Sequence, residues 1–363
     1  MQKKLIIFIP SIEGGGVEKN LFIISNYLKE KINNISVITI SNKFKNRFTG
    51  KINFISPKAN FWNSIGRRKK FFVGLLLLFI EILKDRNILV FSFQGNVYCT
   101  LLCKLLGIKI IVRSNSAPDG WSQNKFKYLV FKYVLKNADK IIVNSLDFKR
   151  KFKTKFKIQA ECIYNPLNKN EVIKKSKMKT KIKFDKKKLN LINVARYSDQ
   201  KDQLTLLKAV NRIKNKVKFN LLLVGRGTEK NNLKKYILTN NLSKQVRLIN
   251  FQNNPFNLIK SSDVFILSSL YEGLPNVLLE SQVLKKFIIS SNCPTGPREI
   301  LLNGKAGSLF EVGDYMKLSK LILHYSKNKK LLSKKILIGY KNLNRFDYNL
   351  NLKKYLKVVN SFI

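Results

Sequence analysis

The segment at residues 268–280 reads Ser-Ser-Leu-Tyr-Glu-Gly-Leu-Pro-Asn-Val-Leu-Leu-Glu and is the most informative stretch of the chain. It follows the short apolar run Val264–Leu267, which has the length and composition of a buried strand. Pro275 suits the first turn of a helix, because its fixed φ and missing N–H cost nothing there. The pattern therefore predicts a strand, a tight turn and a helix.

The start of this helix has the composition of a sugar-nucleotide site. Backbone N–H groups at a helix start attract anions, and a carboxylate accepts the two hydroxyl hydrogen bonds of a ribose or hexose diol. Glu272 lies before the helix and Glu280 lies one to two turns inside it, flanked by leucines rather than by polar residues. The residues around the exposed N–H groups are Gly273, Leu274, Pro275, Asn276 and Val277.

Short apolar runs recur on both sides of this segment and alternate with stretches of helix length. Most are continuously apolar, which is typical of parallel strands buried on both faces. The pattern predicts an α/β protein with two doubly wound domains. The predicted strands are Leu5–Ile9, Ile35–Ile40, Ile88–Phe93, Lys109–Arg113, Lys140–Asn144, Glu161–Tyr164, Leu189–Ala195, Phe219–Val224, Val246–Phe251, Val264–Leu267, Phe287–Ser290 and Ser308–Phe310.

Composition shifts along the chain predict its domain boundaries. The first domain covers residues 1–168 and the second covers residues 189–339. Between them, residues 169–188 are crowded with Lys and lack a long apolar run, so they predict a basic linker with some local helix. Residues 340–363 carry apolar residues at helical spacing and few turn signals, and they predict a terminal helix.

The charge balance is strongly basic. Lys and Arg number 70 against 21 Asp and Glu, a net charge of +49. Such a surplus favours an anionic partner, either nucleic acid or an anionic membrane. The joint richness in Lys, Asn, Ile and Phe is equally consistent with codon composition, and both explanations stay open. The apolar fraction of 45% excludes a wholly disordered chain. The four cysteines form no Cys-x-x-Cys pair and predict reduced thiols rather than a zinc site or disulfide scaffold.

The most apolar stretch is Phe71–Leu83. It contains Glu81 and is shorter than the roughly 20 residues of a membrane span, so it predicts a buried helix. The alternative is contact with an anionic bilayer surface, because the basic run Arg67–Lys70 stands where a helix start disfavours cations. The protein is expected to be cytoplasmic and peripheral on the inner face of the plasma membrane.

Further candidate residues follow other strands, since ligands of open α/β sheets bind beyond the carboxyl ends of the strands. Residues 14–16 are Gly-Gly-Gly after the first strand and predict either a phosphate cradle or a tight turn. Arg196 and Lys201 follow a strand and are expected to clamp a diphosphate, Arg by its fork and Lys as a point charge. Gly225 and Gly227 follow the next strand and predict a close backbone approach.

Residues 272–280 resemble the E-x7-E signature of retaining GT-B glycosyltransferases, in particular the GT4 family. Four further stretches resemble motifs of the same family in the expected order, and together the motifs cover nearly the whole chain. They are Gly14-Gly15-Gly16-Val17-Glu18-Lys19, with Lys19 where the family has Arg; Ala195-Arg196 with Gln200-Lys201-Asp202; Leu223–Gly227; and Ser291–Ile300, which resembles the CPTGPREI stretch of a bacterial polysaccharide-assembly subset.

The resemblance implies a GT-B fold, in which two Rossmann-like domains face each other across a cleft and the last helix returns to the first domain. The N-terminal domain would bind the acceptor and the C-terminal domain the nucleotide-sugar. Glu280 would hold the ribose, and Glu272 the hydroxyls of the transferred sugar. The diphosphate would be held by Arg196 and Lys201. The rest of the nucleotide-sugar site would be formed by Gly15, Gly16, Gly225, Gly227 and the segment Gly273, Leu274, Pro275, Asn276 and Val277, in which every residue but Pro275 has a backbone N–H to donate.

The sequence departs from the family pattern in one loop. Many members carry a His where this chain has Arg113–Pro118, whereas its single His, His324, lies in a predicted surface helix and is not expected to be catalytic. The missing side-chain base fits a retaining, same-face mechanism in which the departing phosphate oxygen takes the acceptor proton. Arg113 and Asn115 are the candidates for positioning the sugar or the acceptor.

No cofactor or metal is expected, because the sequence has no Asp-x-Asp motif. The two cations and the helix-start amides would instead stabilise the leaving diphosphate.

The leading hypothesis is a hexosyltransferase that moves a hexose or N-acetylhexosamine from a nucleotide donor, expected to be UDP-linked. The acceptor would be a polyprenyl-diphosphate-linked or growing surface glycan, and an anionic membrane surface would be a partner. One alternative is a GT-B enzyme of another chemistry, such as a nucleotide-sugar epimerase or a phosphorylase. A nucleic-acid-binding protein is less favoured, because the sequence shows no RNP, KH or zinc-finger pattern and its lysines are scattered.

Overall fold

The computed structural model describes residues 3–13, 15–50, 52–115, 124–182 and 184–363. The chain divides into two compact units. Unit 1 comprises Met1–Pro166 and Tyr348–Ile363, and unit 2 comprises Leu167–Asp347. Each unit contains one parallel sheet covered by helices.

The N-terminal segment of unit 1 contains five of its helices and all of its described strands. The strands are β1 (Lys4–Phe8), β2 (Ile35–Ile38), β3 (Asn53–Ile55), β4 (Ile88–Ser92), β5 (Lys109–Ser114), β6 (Lys140–Val143) and β7 (Glu161–Cys162). The helices are α1 (Gly16–Lys29), α2 (Arg67–Lys84), α3 (Asn96–Leu105), α4 (Lys125–Lys136) and α5 (Leu146–Lys151). The strand order is β3-β2-β1-β4-β5-β6-β7, with every pair parallel.

Unit 2 repeats the arrangement with six strands in the order β10-β9-β8-β11-β12-β13. The strands are β8 (Leu189–Val194), β9 (Phe219–Gly225), β10 (Val246–Asn250), β11 (Val264–Leu267), β12 (Phe287–Ser291) and β13 (Ser308–Phe310). The helices are α6 (Lys169–Ser176), α7 (Gln203–Ile213), α8 (Lys230–Thr239), α9 (Phe256–Ser261), α10 (Asn276–Val283), α11 (Pro297–Ile300), α12 (Tyr315–Lys327) and α13 (Lys329–Lys341). The last helix of the chain, α14 (Tyr348–Asn360), belongs to unit 1.

The prediction of two doubly wound α/β domains is confirmed, and each predicted strand is present at its expected place. One strand was missed. β3 is only three residues long, lies at the sheet edge and begins with the exposed Asn53. An edge strand of this kind buries little and needs no continuous apolar run, so the pattern that identified the other strands does not apply to it.

Both faces of the unit 1 sheet are covered by apolar side chains. On one face α1 packs together with α14, whose Leu352, Tyr355 and Val359 are fully buried. On the other face the core is closed by α2, α3, α4 and α5. The chain therefore completes the core of unit 1 only after it has passed through unit 2.

The basic stretch at residues 169–188 contains the local helix that was predicted for it. Its first half is α6, which begins after Asn168, whose side chain accepts a hydrogen bond from the Glu171 N–H. Val172 and Ser176 are buried, and the whole stretch lies in unit 2. The predicted terminal helix begins at Tyr348 rather than at residue 340, after the separate helix α13.

The apolar stretch at residues 71–83 lies within α2, but the expectation of a buried helix holds for one stripe only. Lys70, Gly74, Leu78 and Ile82 are buried, at a spacing of four residues. The opposite face is exposed. Among the helices of the described residues, none combines the length and hydropathy that a membrane span requires.

Candidate active site

Two loops of unit 2 come together beyond the carboxyl ends of neighbouring strands. Residues 195–202 follow β8, and residues 268–275 follow β11, which pairs with β8 in the sheet. The Leu270 N–H donates to the Gln200 carbonyl at 2.8 Å. The Gln200 side-chain amide in turn donates to the Tyr271 carbonyl at 2.9 Å. These bonds hold the candidate cations of one loop beside the candidate carboxylate of the other.

Lys201 and Glu272 form an ion pair at the centre of this arrangement. Lys201 Nζ lies 2.5 Å from Glu272 Oε1, although the residues are 71 positions apart in the chain. The side chains are only 15% and 8% exposed, so the pair is largely shielded from water. Lys201, predicted to bind the diphosphate, and Glu272, predicted to bind the sugar, are thus adjacent. A nucleotide-sugar would need its phosphate-binding and sugar-binding residues at this short distance.

A set of hydroxyl groups fixes Glu272 in place. Ser269 Oγ donates to Glu272 Oε1 at 2.6 Å, and Thr295 Oγ1 donates to the Glu272 carbonyl at 2.5 Å. The Ser291 hydroxyl donates to the Ser269 carbonyl at 2.7 Å. Thr295 adopts a φ of 61°, an unfavourable value for a β-branched residue that the surrounding bonds must offset. Sequence reasoning gave Ser269 and Thr295 no role, because a small hydroxyl residue in a loop has no distinctive pattern.

Replacing Ser269 with Ala tests whether this support matters for turnover. The Glu272 carboxylate would lose one of two short bonds, so we expect kcat to fall by about tenfold while the affinity for the free nucleotide stays unchanged. Steady-state kinetics and nucleotide titration measure the two effects. Ser290→Ala is the matched control, because Ser290 is equally buried but donates to the Ser291 carbonyl. Equal loss in both variants would contradict the role of Ser269.

Gly225 and Gly227 let two backbone segments approach each other. A Cβ at Gly225 would lie 1.9 Å from the Ala195 carbonyl oxygen, and one at Gly227 would lie 2.0 Å from the Tyr197 carbonyl oxygen. Between them, the Tyr197 N–H donates to the Arg226 carbonyl at 2.9 Å. The predicted close approach is therefore between β9 and the loop that carries the cations.

The variant Gly225→Ala should lose stability as well as donor binding. The added methyl group overlaps a backbone oxygen that cannot rotate away, so we expect a loss of about 3 kcal/mol in the free energy of unfolding. Gly66→Ala is the control, because nothing lies within 4 Å of its Cβ position and its φ is −60°. Chemical denaturation measures the free energy of unfolding of both variants. A denaturation curve of Gly225→Ala unchanged from that of the parent protein would contradict the packing argument.

Arg196 lies at the exposed edge of the same loop. One guanidinium nitrogen is 3.5 Å from Gln200 Oε1, and the Arg196 carbonyl accepts a hydrogen bond from the Gln203 side chain at 2.8 Å. The backbone is thus fixed while the guanidinium faces solvent. A contact of 3.5 Å is weak enough to be exchanged for a ligand oxygen.

The start of α10 presents backbone N–H groups without a capping side chain. Pro275 occupies the position before the helix, and the N–H groups of Asn276 and Val277 lie in its first turn. The turn is tightly packed, since a Cβ at Gly296 would lie 2.0 Å from the Gly273 carbonyl oxygen. The predicted turn and helix are present, with Pro275 just before the first turn rather than in it, and the role of residues 273–277 in donor binding stays a prediction.

Glu280 lies one turn into α10 and is buried. Leu274, before the helix, is also buried, as are the leucines that flank Glu280. Glu280 is therefore not a solvated surface charge.

The remaining residues predicted for the nucleotide-sugar site lie in unit 1. Gly15 precedes α1 and Gly16 begins it, whereas Gly14 lies outside the described residues. The Glu18 carboxylate accepts the Gly15 N–H at 2.9 Å and the Glu13 N–H at 3.4 Å. A phosphate at these amides would have to displace the Glu18 carboxylate, and the choice between a phosphate cradle and a tight turn stays open.

Arg113 and Asn115, the predicted acceptor-side residues, also lie in unit 1. Arg113 is fully buried: Nε donates to the Tyr355 hydroxyl at 2.9 Å, and the other nitrogens donate to the side-chain oxygens of Asn165 and Asn115. Arg113 is thus bonded inside unit 1 to three side chains, and its role in positioning the sugar or the acceptor stays a prediction. Asn115 donates to the Phe93 carbonyl at 2.9 Å, and Ser116–Pro118 lie outside the described residues.

Two titratable residues complete the description of the candidate site. Cys293 is buried close to Glu272, and burial together with that negative charge raises the pKa of its thiol to about 12, so it stays neutral at ordinary pH. His324 is exposed on α12. In the described part of the chain, no group of three or more His, Cys, Asp or Glu residues is placed to hold a metal ion.

Comparison with known proteins identifies relatives of this architecture. The family profile described as "Glycosyl transferases group 1" matches residues 174–341, which include every candidate residue of unit 2. An uncharacterized glycosyltransferase of Methanocaldococcus jannaschii is 35% identical over 186 residues, 49% of this chain and 46% of that protein. The chain thus spans about half the length of this relative.

One further relative and one solved structure of the same fold match most of the chain. The N-acetylgalactosamine-N,N'-diacetylbacillosaminyl-diphospho-undecaprenol 4-alpha-N-acetylgalactosaminyltransferase of Campylobacter jejuni is 26% identical over 85% of this chain and 86% of its own length. The crystal structure of Anabaena HepE in complex with UDP superposes with a TM-score of 0.78 at 15% identity, covering 99% of this chain and 100% of HepE.

Proposed function

We propose, from the premise that this chain is a GT4-like glycosyltransferase with a GT-B fold, that it is a retaining hexosyltransferase. It takes a hexose or an N-acetylhexosamine from a UDP-linked donor. It transfers the sugar to a polyprenyl-diphosphate-linked or growing surface glycan.

The observation that carries this proposal is the shielded Lys201–Glu272 pair beside the start of α10. A sugar diphosphate needs a cation at its phosphates and a hydrogen-bond acceptor at its sugar hydroxyls, only a few ångströms apart. The pair supplies both in one place. Buried Glu280, one turn into the same helix, supplies the acceptor that a ribose diol would need.

Donor binding exchanges the contacts of this pair. Lys201 Nζ moves from Glu272 Oε1 to a diphosphate oxygen, and the carboxylate oxygen thus released accepts a hydroxyl of the sugar. The exposed Arg196 guanidinium and the α10 amides add donors to the phosphates. These positive groups stabilise the charge that develops as the bond between the sugar and the phosphate breaks.

The acceptor hydroxyl attacks the same face of the sugar from which the diphosphate departs. The departing phosphate oxygen takes the hydroxyl proton, so configuration is retained and no side-chain base is needed. On this proposal the diphosphate is neutralised by the two cations, without a metal or another cofactor.

The choice of substrates and location draws on the relatives. HepE was crystallised with UDP, and the Campylobacter enzyme is named for an acceptor linked to diphospho-undecaprenol. Such acceptors are membrane-anchored, and a net charge of +49 complements anionic lipids better than neutral ones. We therefore place the protein in the cytoplasm, peripheral on the inner face of the plasma membrane, with no nucleic-acid partner.

A saturation binding screen of UDP-, GDP- and ADP-linked sugars, each against its parent nucleotide, tests the donor. We expect one UDP-sugar to bind more tightly than UDP. Transfer onto a polyprenyl-diphosphate sugar is then measured by product mass. A folded sample that binds no nucleotide would overturn the proposal. Conversion of the donor with no acceptor present would instead favour an epimerase.

A further inference from the structure

The outer side of the helix layer α2–α4 in unit 1 is apolar where it faces water. On α2, four large apolar residues point away from the buried stripe, with Phe72 exposed by 72%. Residues 71–80 contain no charged side chain. A surface helix normally carries polar residues on this side. The exposed residues of α2 are Phe72, Leu76, Ile80 and Leu83.

The next two helices continue this surface. Their exposed apolar residues recur at three- and four-residue spacing, which aligns them along one face of each helix. The rings of Tyr98 on α3 and Phe131 on α4 lie 6.3 Å apart, so the two helices are in contact. We call the whole set the apolar patch. Its further members are Tyr98, Leu101 and Leu105 on α3, and Phe126, Leu129, Val130 and Tyr133 on α4.

Basic residues border the apolar patch. Arg67, Arg68 and Lys69 are exposed in the first turn of α2, which contains no acidic residue. Cations there oppose the helix dipole, so an anion that compensates them would stabilise the bound state. Exposed Lys125, Lys127 and Lys136 stand on α4 beside the apolar residues.

The acidic residues of this layer do not offset that charge. Glu81 on α2 is bonded to both Lys4 and Lys84 at 2.8 Å. Asp139, just after α4, is paired with Lys104 and Lys109. Asp85 is exposed, but it lies at the end of α2 opposite the basic turn. The surface therefore combines exposed apolar side chains with a net positive border.

We propose that the apolar patch inserts into the surface of an anionic lipid bilayer. The aromatic and leucine side chains would enter the boundary between headgroups and acyl chains, while the bordering Arg and Lys bind lipid phosphates. This inference rests on the membrane partner named in the proposed function, and it adds the surface and the mode of contact. It does not depend on the chemistry of sugar transfer.

The charges favour a bilayer over a second copy of the chain. A symmetric dimer through this face would bring the basic border of one copy against the same border of the other. With a net charge of +49 on each chain, that contact would be repulsive. A bilayer containing phosphatidylglycerol presents the opposite charge and a liquid apolar layer that accepts the exposed side chains of the three helices.

Flotation of the full chain with lipid vesicles tests the proposal. Wild type should bind vesicles containing phosphatidylglycerol, and less well those of phosphatidylcholine alone. The variant Phe72→Ser/Leu105→Ser/Tyr133→Ser removes one exposed side chain from each helix. We expect its partition coefficient onto the anionic vesicles to fall at least about tenfold. Leu331→Ser/Leu337→Ser on α13 is the control, because these leucines of unit 2 are also exposed, by 62% and 52%, and it should bind like wild type.

A second variant separates charge from insertion. Arg67→Ala/Arg68→Ala/Lys69→Ala should reduce the preference for anionic vesicles and the sensitivity of binding to salt. Equal binding by wild type and the three-serine variant would overturn the insertion surface. So would wild type that binds no vesicles and dimerises through these residues, as measured by sedimentation velocity.

Nucleotide binding, measured on the same samples, distinguishes the two proposals. If the three-serine variant loses vesicle binding but keeps its donor affinity, the variant is folded and the result supports the apolar patch as the membrane-binding surface. Donor binding without any vesicle binding would overturn only the membrane inference. Vesicle binding without any nucleotide binding would overturn only the proposed glycosyl transfer.

Discussion

Replacing Lys201 with Ala is expected to lower kcat/KM for sugar transfer by about 10³-fold. The substitution removes the shielded cation that would stabilise the leaving diphosphate, and groups of this kind contribute on the order of 3–4 kcal/mol to transition-state stabilisation. It also leaves the Glu272 carboxylate, 8% exposed, without its partner. We therefore expect an additional loss of about 2 kcal/mol in the free energy of unfolding. Initial rates and chemical denaturation measure the two losses.

The double variant Lys201→Ala/Glu272→Gln separates catalysis from stability. An amide at residue 272 has no charge to leave unpaired, so the double variant should recover most of the lost stability and none of the lost activity. Lys234→Ala, an exposed Lys on α8, is the control for removing one positive charge and should behave as wild type. If activity returned together with stability, Lys201 would be a structural residue and the assigned role would be wrong.

Glu280→Gln is expected to remove discrimination for the ribose hydroxyls of the donor nucleotide. In wild type, UDP should bind about 100-fold more tightly than 2',3'-dideoxy-UDP, because hydrogen bonds to a buried carboxylate contribute roughly 1.5–3 kcal/mol. In Glu280→Gln the ratio should fall to about tenfold or less, since the Gln side chain has one accepting oxygen where the carboxylate has two. Isothermal titration of both nucleotides with both proteins measures this ratio.

The ratio of the two affinities is the informative quantity in that experiment. Glu280 is buried within α10, so its replacement also perturbs packing, and that effect lowers both affinities equally. A ratio unchanged by the substitution would show that Glu280 does not contact the ribose. Asp314→Asn, which alters the side chain that accepts the Lys317 N–H at the start of α12, is a control far from the candidate site in sequence.

The fold could be predicted because each central strand is a continuous apolar run. In β4 and β11, for example, every residue is buried, so the sequence carries the burial directly. Prediction failed where burial is partial. β3 is half exposed at an edge, and α2 hides one stripe while an apolar face stays outside. A rule that equates apolar with buried cannot identify either case.

The candidate site was predictable by residue but not by contact. Motif positions indicated Lys201 and Glu272 separately, yet no local pattern could show that residues 71 positions apart form an ion pair. The same limit applies to Arg113. A charged residue after a strand suggests a ligand-binding residue. Only the structure reveals that the Tyr355 hydroxyl, 242 positions later, accepts the hydrogen bond from Arg113 Nε.

The place of α14 has a consequence for the order in which this protein can fold during synthesis. Tyr355 and its neighbours close one side of the unit 1 core, but a ribosome makes all of unit 2 before it reaches them. Until then the β5 guanidinium of Arg113 lacks its phenol partner and an apolar face of the first sheet stays open to water. The second unit to be translated can therefore be the first to reach its native state, with the first unit held incomplete and in need of protection from aggregation.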